Sequence, residues 1–224
     1  MRFHDRREAG QELAARLMER ASGGDLPDPF LLALPRGGVP VAAQVARALG
    51  VPLDVLVVRK IGLPGRPETG IGAIVGDDPP LFDRRALDML GLDEDRLLPD
   101  VARERTELHR RALLYRGDRP PPRVEGRTVI LVDDGLATGA TARAALRHLR
   151  RLRTARLILA VPVSAPETAA EMESEADDVV CPHRPPDFRA VGHWYEDFEQ
   201  VSDDEVIEIL REHDAFPRTS PRKG

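Results

Sequence analysis

The sequence predicts an α/β fold in which a parallel sheet is covered by helices on both faces, and three observations carry that reading. Short apolar runs alternate with segments of helical spacing along most of the chain. The runs are apolar at nearly every position, as in strands buried on both faces. Two of them stop at glycine-rich turns that lead straight into a helix, at Pro35-Arg36-Gly37-Gly38 and at residues 133–141.

Residues 5–20 carry Leu13, Ala14, Leu17 and Met18 at helical spacing, so the chain opens with an amphipathic helix that the glycines at 23 and 24 end. A strand follows at 30–34 and a helix at 39–49. A second apolar run, 53–58, ends on Arg59-Lys60 and opens into a glycine- and proline-rich stretch through Pro80, expected to be irregular. The spacing of Leu87, Leu90, Leu97, Val101, Leu108 and Leu113 predicts two helices broken near Gly91. Prolines 120–122 form a stiff linker. Strand 129–132, helix 142–152, strand 157–161, a helix from about Pro166 and strand 179–181 complete the alternation, and a helix at 203–211 closes it. The expected organisation is one domain over 1–224. It divides into an N-terminal helix (1–28), a core (29–180) carrying a helical insertion (83–122), a hood with closing helix (181–213) and a tail (214–224).

Composition narrows the function classes. With 42% hydrophobic and 32% charged residues the chain reads as an ordinary globular protein. One cysteine, Cys181, allows no intrachain disulfide and no multi-cysteine zinc site, which points to a reducing, cytoplasmic setting. A net charge of -5 argues against broad attachment to nucleic acid or to an anionic membrane. The charged N-terminus is unlike a signal peptide, and no apolar stretch is long enough to span a membrane. Lys60 and Lys223 are the only lysines among 33 basic residues, so a lysine at a strand end stands out.

In open parallel sheets ligands bind at the carboxyl ends of the strands. The most informative end is Val129-Ile130-Leu131-Val132-Asp133-Asp134-Gly135-Leu136-Ala137-Thr138-Gly139-Ala140-Thr141. Two carboxylates stand at the mouth of a buried strand, and a small-residue loop enters a helix whose first amides can cradle a phosphate. Acids beside a phosphate site make sense when the ligand also offers sugar hydroxyls or arrives with magnesium. A second end, Arg36-Gly37-Gly38, combines close-approach glycines with a guanidinium suited to an anion. A third, Arg59-Lys60, precedes the glycine-rich stretch.

This pattern resembles the type I phosphoribosyltransferase family, whose signature is four apolar residues, two acids and a Thr/Gly loop; Gly135 stands where the family usually has an aliphatic residue. The resemblance implies a Rossmann-like parallel-sheet core with a small C-terminal hood. It implies transfer of ribosyl 5-phosphate from phosphoribosyl pyrophosphate to a nitrogen acceptor, a nucleobase being expected, with release of pyrophosphate. Asp133, Asp134 and Lys60 would be the catalytic residues. The phosphoribosyl pyrophosphate site would comprise Arg36, Gly37, Gly38, Arg59, Lys60, Asp133, Asp134, Ala137, Thr138, Gly139, Ala140 and Thr141. Magnesium is the implied cofactor, met by Asp133 and Asp134 only indirectly through ribose and water, and a homodimer is the implied assembly. The family's first strand ends in a pyrophosphate loop that often holds a cis non-proline bond, here Pro35–Arg36. Residues 68–76 would be the mobile part of a loop that closes over the reacting centre. Trp194 and Tyr195, in a segment dense in aromatics, would stack an acceptor base, although aromatics so spaced can equally pack the hood. A phosphoribosyl pyrophosphate sensor without catalysis, and a hydrolase using water as acceptor, are the alternatives. Cys181 and His183 read as a loop or core pair.

Overall fold

The computed structural model describes residues 2–214, save the side chains of Pro67, Glu68 and Asp214. The tail expected at 214–224 therefore lies, past Asp214, outside the described residues. Helix α1 (Arg6–Ser22) begins where the Asp5 carboxylate accepts the Glu8 amide at 2.8 Å, satisfying one of the free amides of the first turn. It buries Ala9, Leu13, Ala14 and Leu17. Gly10 faces helix α2 (Gly38–Leu49) so closely that a Cβ there would lie 2.7 Å from the Val41 carbonyl oxygen.

Strands β1 (Pro29–Ala33), β2 (Leu53–Val55), β6 (Thr128–Val132), β7 (Arg156–Ala160) and β8 (Asp178–Val180) form one sheet, ordered β2-β1-β6-β7-β8, all pairs parallel. Alternate residues feed two cores, because successive side chains of a strand point to opposite faces. Leu31, Ala33, Ile130 and Val132 join the core under α1, α2 and α7 (Asp203–Asp214). Phe30, Leu32, Val129 and Leu131 join the one under α5 (Ala140–Arg151) and α6 (Pro166–Met172). The predicted parallel sheet with helices on both faces is the fold observed.

The stretch between the second strand and Pro80 is regular, which corrects the expectation of a long irregular loop. Strands β3 (Val58–Leu63), β4 (Arg66–Val75) and β5 (Leu81–Phe82) make a separate antiparallel sheet. The run at 53–58 is accordingly split between two sheets. Gly72 sits in a strand because a Cβ there would meet Phe82 Cδ1 at 2.7 Å; close approach, not a turn, is its reason. Helices α3 (Arg84–Leu90) and α4 (Leu98–Arg116), joined by a 3-10 turn at Glu94–Leu97, break at Gly91, whose φ of 60° suits a helix end.

Candidate active site

The register of β1 against β6 assembles the centre. Ala33 is opposite Val132, and the Leu34 amide donates to the Val132 carbonyl at 2.8 Å, so both strands end side by side. The two glycines of the β1 loop are dictated by that proximity. A Cβ on Gly37 would lie 1.9 Å from Asp134 Oδ2, and one on Gly38 would lie 2.7 Å from the Val132 carbonyl oxygen. The Pro35–Arg36 bond is cis, as the resemblance implied. Arg36 extends from this loop toward Asp203, with Nη1 3.7 Å from Oδ1.

Beyond the acids, Gly139 takes φ 68° at the N-cap of α5, a left-handed conformation that costs other residues energy. Ala137, Thr138 and Ala140 are exposed around this helix start. The Ala137 carbonyl is held by the Thr168 hydroxyl at 2.7 Å, which fixes the loop's shape from behind. Gly135, the departure from the family pattern, is packed against the hood: a Cβ there would meet Val191 Cγ1 at 2.6 Å.

The two carboxylates differ. Burial, then the neighbouring Asp134, push the Asp133 carboxyl well above its usual range, while the Asp134 amide, Lys60 and Arg6 pull against that rise. Asp134 is also raised by burial, but Arg6 opposes this directly, its Nε donating to Oδ2 at 2.9 Å with both side chains largely buried. Lys60 is exposed on β3 and has no hydrogen-bond or ion-pair partner among the described residues, and its positive charge acts on Asp133. Arg59 turns the other way. Its Nε and Nη2 donate to Glu104 Oε2 of α4 at 2.9 and 2.7 Å, on the face of the strand away from Lys60. Neighbours on a strand cannot share a face.

The hood is built from both ends of the chain. Phe3 bridges to Tyr195, and the Phe3 and His4 carbonyls accept the amides of Glu196 and Asp197. Tyr195 is buried between Phe3 and Phe198, at ring-centroid distances of 5.4 and 5.0 Å, and its hydroxyl donates to the Asp134 carbonyl at 2.6 Å. Its ring packs between these two aromatics, so in this structure it faces the hood's interior. Trp194 is half-buried with an indole N–H that finds no acceptor. Arg6, which the sequence reading missed, closes the hood. Its Nη1 donates to the Glu199 carbonyl at 2.8 Å and its guanidinium lies 4.0 Å from the Phe198 ring centroid. Burial pushes the Cys181 thiol up to about 11, and its Sγ donates to the His183 carbonyl. His183 is paired with Glu12 at 2.7 Å.

A family model described as the phosphoribosyl transferase domain matches residues 4–199, which spans all three strand-end loops and the hood. The chain belongs to the phosphoribosyl transferase family. Two Mycobacterium tuberculosis proteins, each named "Putative phosphoribosyl transferase", are 42% identical to it over 215 residues, 96% of this chain. The match covers 48% of their length, so the chain spans about half of these curated relatives. Protein TT1426 of Thermus thermophilus, in its crystal structure, is 44% identical with a TM-score of 0.78, over 95% of this phosphoribosyl transferase chain and 99% of that one. Protein AQ2163 of Aquifex aeolicus shares the fold at 12% identity and a TM-score of 0.50, over 81% of this chain and 77% of that one. No helix among the described residues is long and apolar enough to cross a membrane.

Proposed function

We propose that this chain transfers ribosyl 5-phosphate from phosphoribosyl pyrophosphate to a nitrogen acceptor, a nucleobase in the first instance, releasing pyrophosphate. One observation carries the reading: β1 and β6 end in register, so an arginine-bearing glycine loop, two carboxylates and a helix start lie at one edge of the sheet, with the charge of Lys60 acting on the first carboxylate. The amides at 137–141, with the Thr138 and Thr141 hydroxyls, would take the 5-phosphate. Asp133 and Asp134 would accept from the ribose hydroxyls, Asp133 with the freer carboxyl. Arg36, the Gly37 amide and Lys60 would face the pyrophosphate, and Gly38, whose amide is held by the Leu34 carbonyl at 3.1 Å, would contribute close approach.

In the reaction the bond from the anomeric carbon to the pyrophosphate oxygen breaks and a bond to the acceptor nitrogen forms, with loss of that nitrogen's proton. Positive charge grows on the sugar and negative charge on the leaving oxygen. The acids face the first and Lys60 and Arg36 the second, so preorganised charge lowers the barrier without a covalent nucleophile.

Magnesium fits this donor set as an ion carried in by the pyrophosphate. Among the described residues no group of three or more His, Cys, Asp and Glu side chains stands close enough to hold a metal by itself, while the acid pair adjoins the crevice. Asp133 and Asp134 would meet the ion through water and the ribose oxygens, and the ion would offset charge on the leaving group. In the hood, Trp194 packs partly buried against the cluster of Phe3, Val163 and Tyr195, and its exposed part would be the surface offered to an acceptor base. A homodimer in the cytoplasm, serving nucleotide metabolism, belongs to the same reading.

The test is pyrophosphate release from magnesium phosphoribosyl pyrophosphate with a panel of nucleobases. We expect release with at least one base, and Lys60→Ala to lower kcat by about a hundredfold while changing KM far less. Tight binding with no release for any base would favour a sensor. Release of ribose 5-phosphate without a base would favour a hydrolase.

A further inference from the structure

The helical insertion has work to do in this site. Helix α4 packs Val101, Leu108 and Tyr115 into the core that also takes Ile61, Ile71 and Ile74 of the β3–β4 hairpin. Two consecutive side chains of α4 then grip the hairpin by polar contacts. Glu104, largely buried, accepts both Arg59 donors, and Arg105 donates to the Gly76 and Asp78 carbonyls at 2.6 and 2.8 Å, where β4 has just ended. With Arg59 fixed on the α4 side, the strand's alternation sends Lys60 to the opposite, open face.

Eleven residues further along, or about 16 Å of helix, α4 reaches the other cation. The Tyr115 hydroxyl donates to Asp203 Oδ1 at 2.5 Å, and the same oxygen faces Arg36 Nη1 at 3.7 Å. Burial and the hydrogen bond to Asp203 push the Tyr115 hydroxyl up to about 12, so it stays a donor across the working pH range. At 3.7 Å Arg36 is held by charge without a short hydrogen bond, which leaves its donors free to turn to a ligand.

We infer that α4 is a strut that positions both leaving-group cations, Lys60 through the Arg59–Glu104 pair and Arg36 through Asp203 and Tyr115. Glu104, Asp203 and Tyr115 are positioning residues; none touches the reacting atoms. The inference rests on the function proposed above and names its regulation by geometry: the insertion sets affinity for the pyrophosphate half of the substrate and leaves the ribose phosphate half alone.

The test measures the two halves separately by calorimetry on the full chain, with magnesium pyrophosphate and with ribose 5-phosphate. Glu104→Ala should weaken magnesium pyrophosphate about tenfold and ribose 5-phosphate less than about twofold, as loss of a supporting contact loosens only the group it supports. Glu104→Gln, which keeps an oxygen for the Arg59 donors, should fall between Ala and wild type and serves if the alanine variant does not fold. Tyr115→Phe should also weaken the pyrophosphate half alone. Thr106→Ala, on the exposed face of the same helix, should change neither. Folded Glu104 variants that weaken both ligands equally, or neither, overturn the strut. A wild-type chain that binds neither ligand overturns the proposed function instead, so the two failures are separable.

Discussion

The loop at 133–141 and the hood meet at Asp134, but they are made in opposite ways. The loop is consecutive: strand, acids, amides and helix start follow one another, and the contacts that brace it from outside, the Thr168 hydroxyl on the Ala137 carbonyl and the Val163 carbonyl on the Leu136 amide, only steady groups the local sequence has already brought together. The hood joins residues 3–6 to residues 191–199, and its closing contact, Arg6 to Asp134, spans 128 positions. A site built locally can be read from a string; one closed by a distant residue is specified only by the fold. The first region should tolerate loss of the second's contacts better than the reverse, and substitutions at their junction test this.

The largest effect is expected at Gly37, which lies where the β1 loop, Asp134 and Arg6 converge. Alanine there would put a Cβ 1.9 Å from Asp134 Oδ2 and 3.2 Å from Arg6 Nε, so the carboxylate or the loop must move. Gly37→Ala should lower stability by about 2–4 kcal/mol and abolish measurable binding of magnesium phosphoribosyl pyrophosphate. Denaturant unfolding and calorimetry check both. A variant as stable as wild type would mean that Asp134 is not held where the structure places it.

Arg6→Ala comes next. It leaves the Asp134 carboxylate largely buried without its partner and removes the cation from the Phe198 ring, at a cost of about 2–3 kcal/mol. Because Arg6 also ties down the Glu199 carbonyl, the hood should loosen while the loop at 133–141 stays. Trp194, the only tryptophan, reports this directly. Its emission should shift toward that of an exposed indole, while affinity for ribose 5-phosphate falls less than about threefold. An unmoved emission would show that the hood does not depend on the N-terminus.

These two substitutions mark what the sequence could disclose. The parallel sheet was legible because five apolar runs alternate with helical spacing, and the acid pair because two carboxylates at a strand mouth have no packing role. The hairpin was not legible. Pro64, Gly65, Pro67, Gly70 and Gly72 are turn formers by composition, and only contact with Phe82 explains a glycine at 72. Arg59 and Lys60 read as one basic pair by composition, although strand periodicity separates them, and Glu104 holds Arg59 on its own face. Tyr195 was seen as an aromatic surface, and the acceptor of its hydroxyl lies 61 positions away. For Arg6 no local signal exists, as one arginine among many near the chain start carries no mark of its partner.

Asp133→Asn separates function from stability within the loop. In the folded state burial and Asp134 raise the Asp133 carboxyl, so the native state holds this proton more tightly than the unfolded chain does. Its stabilising contribution is present at acid pH and is lost as pH rises from the ordinary carboxylate value through the raised one. Asparagine removes that loss. The variant should match wild type near pH ~4 and melt about 2–4 °C higher at neutral pH, while binding magnesium phosphoribosyl pyrophosphate much more weakly. A variant that melts lower at neutral pH would show that the ionised carboxylate is satisfied in the resting fold.

The smallest effect tests the seam itself. Gly135 departs from the family pattern, and its missing side chain is replaced in space by Val191 of the hood, whose Cγ1 lies 2.6 Å from where a Cβ would stand. Its backbone is outside the left-handed region, so alanine meets this packing conflict and a lesser one with Val163 Cγ1 at 3.2 Å. Gly135→Ala should therefore cost about 1–2 kcal/mol by overpacking, and Val191→Ala about 1 kcal/mol by lost burial. Combined, each removes the reason for the other's cost, because the alanine methyl at 135 fills part of the space that Val191 gives up. The double variant should be more stable than the sum of the single losses by about 0.5–1 kcal/mol. Such coupling would mean that a small residue after the acids and a branched one in the hood are two halves of one packing choice. Strict additivity would instead mean that the loop adjusts on its own, and that the hood rests on Arg6 and Tyr195 alone where it meets the acid pair.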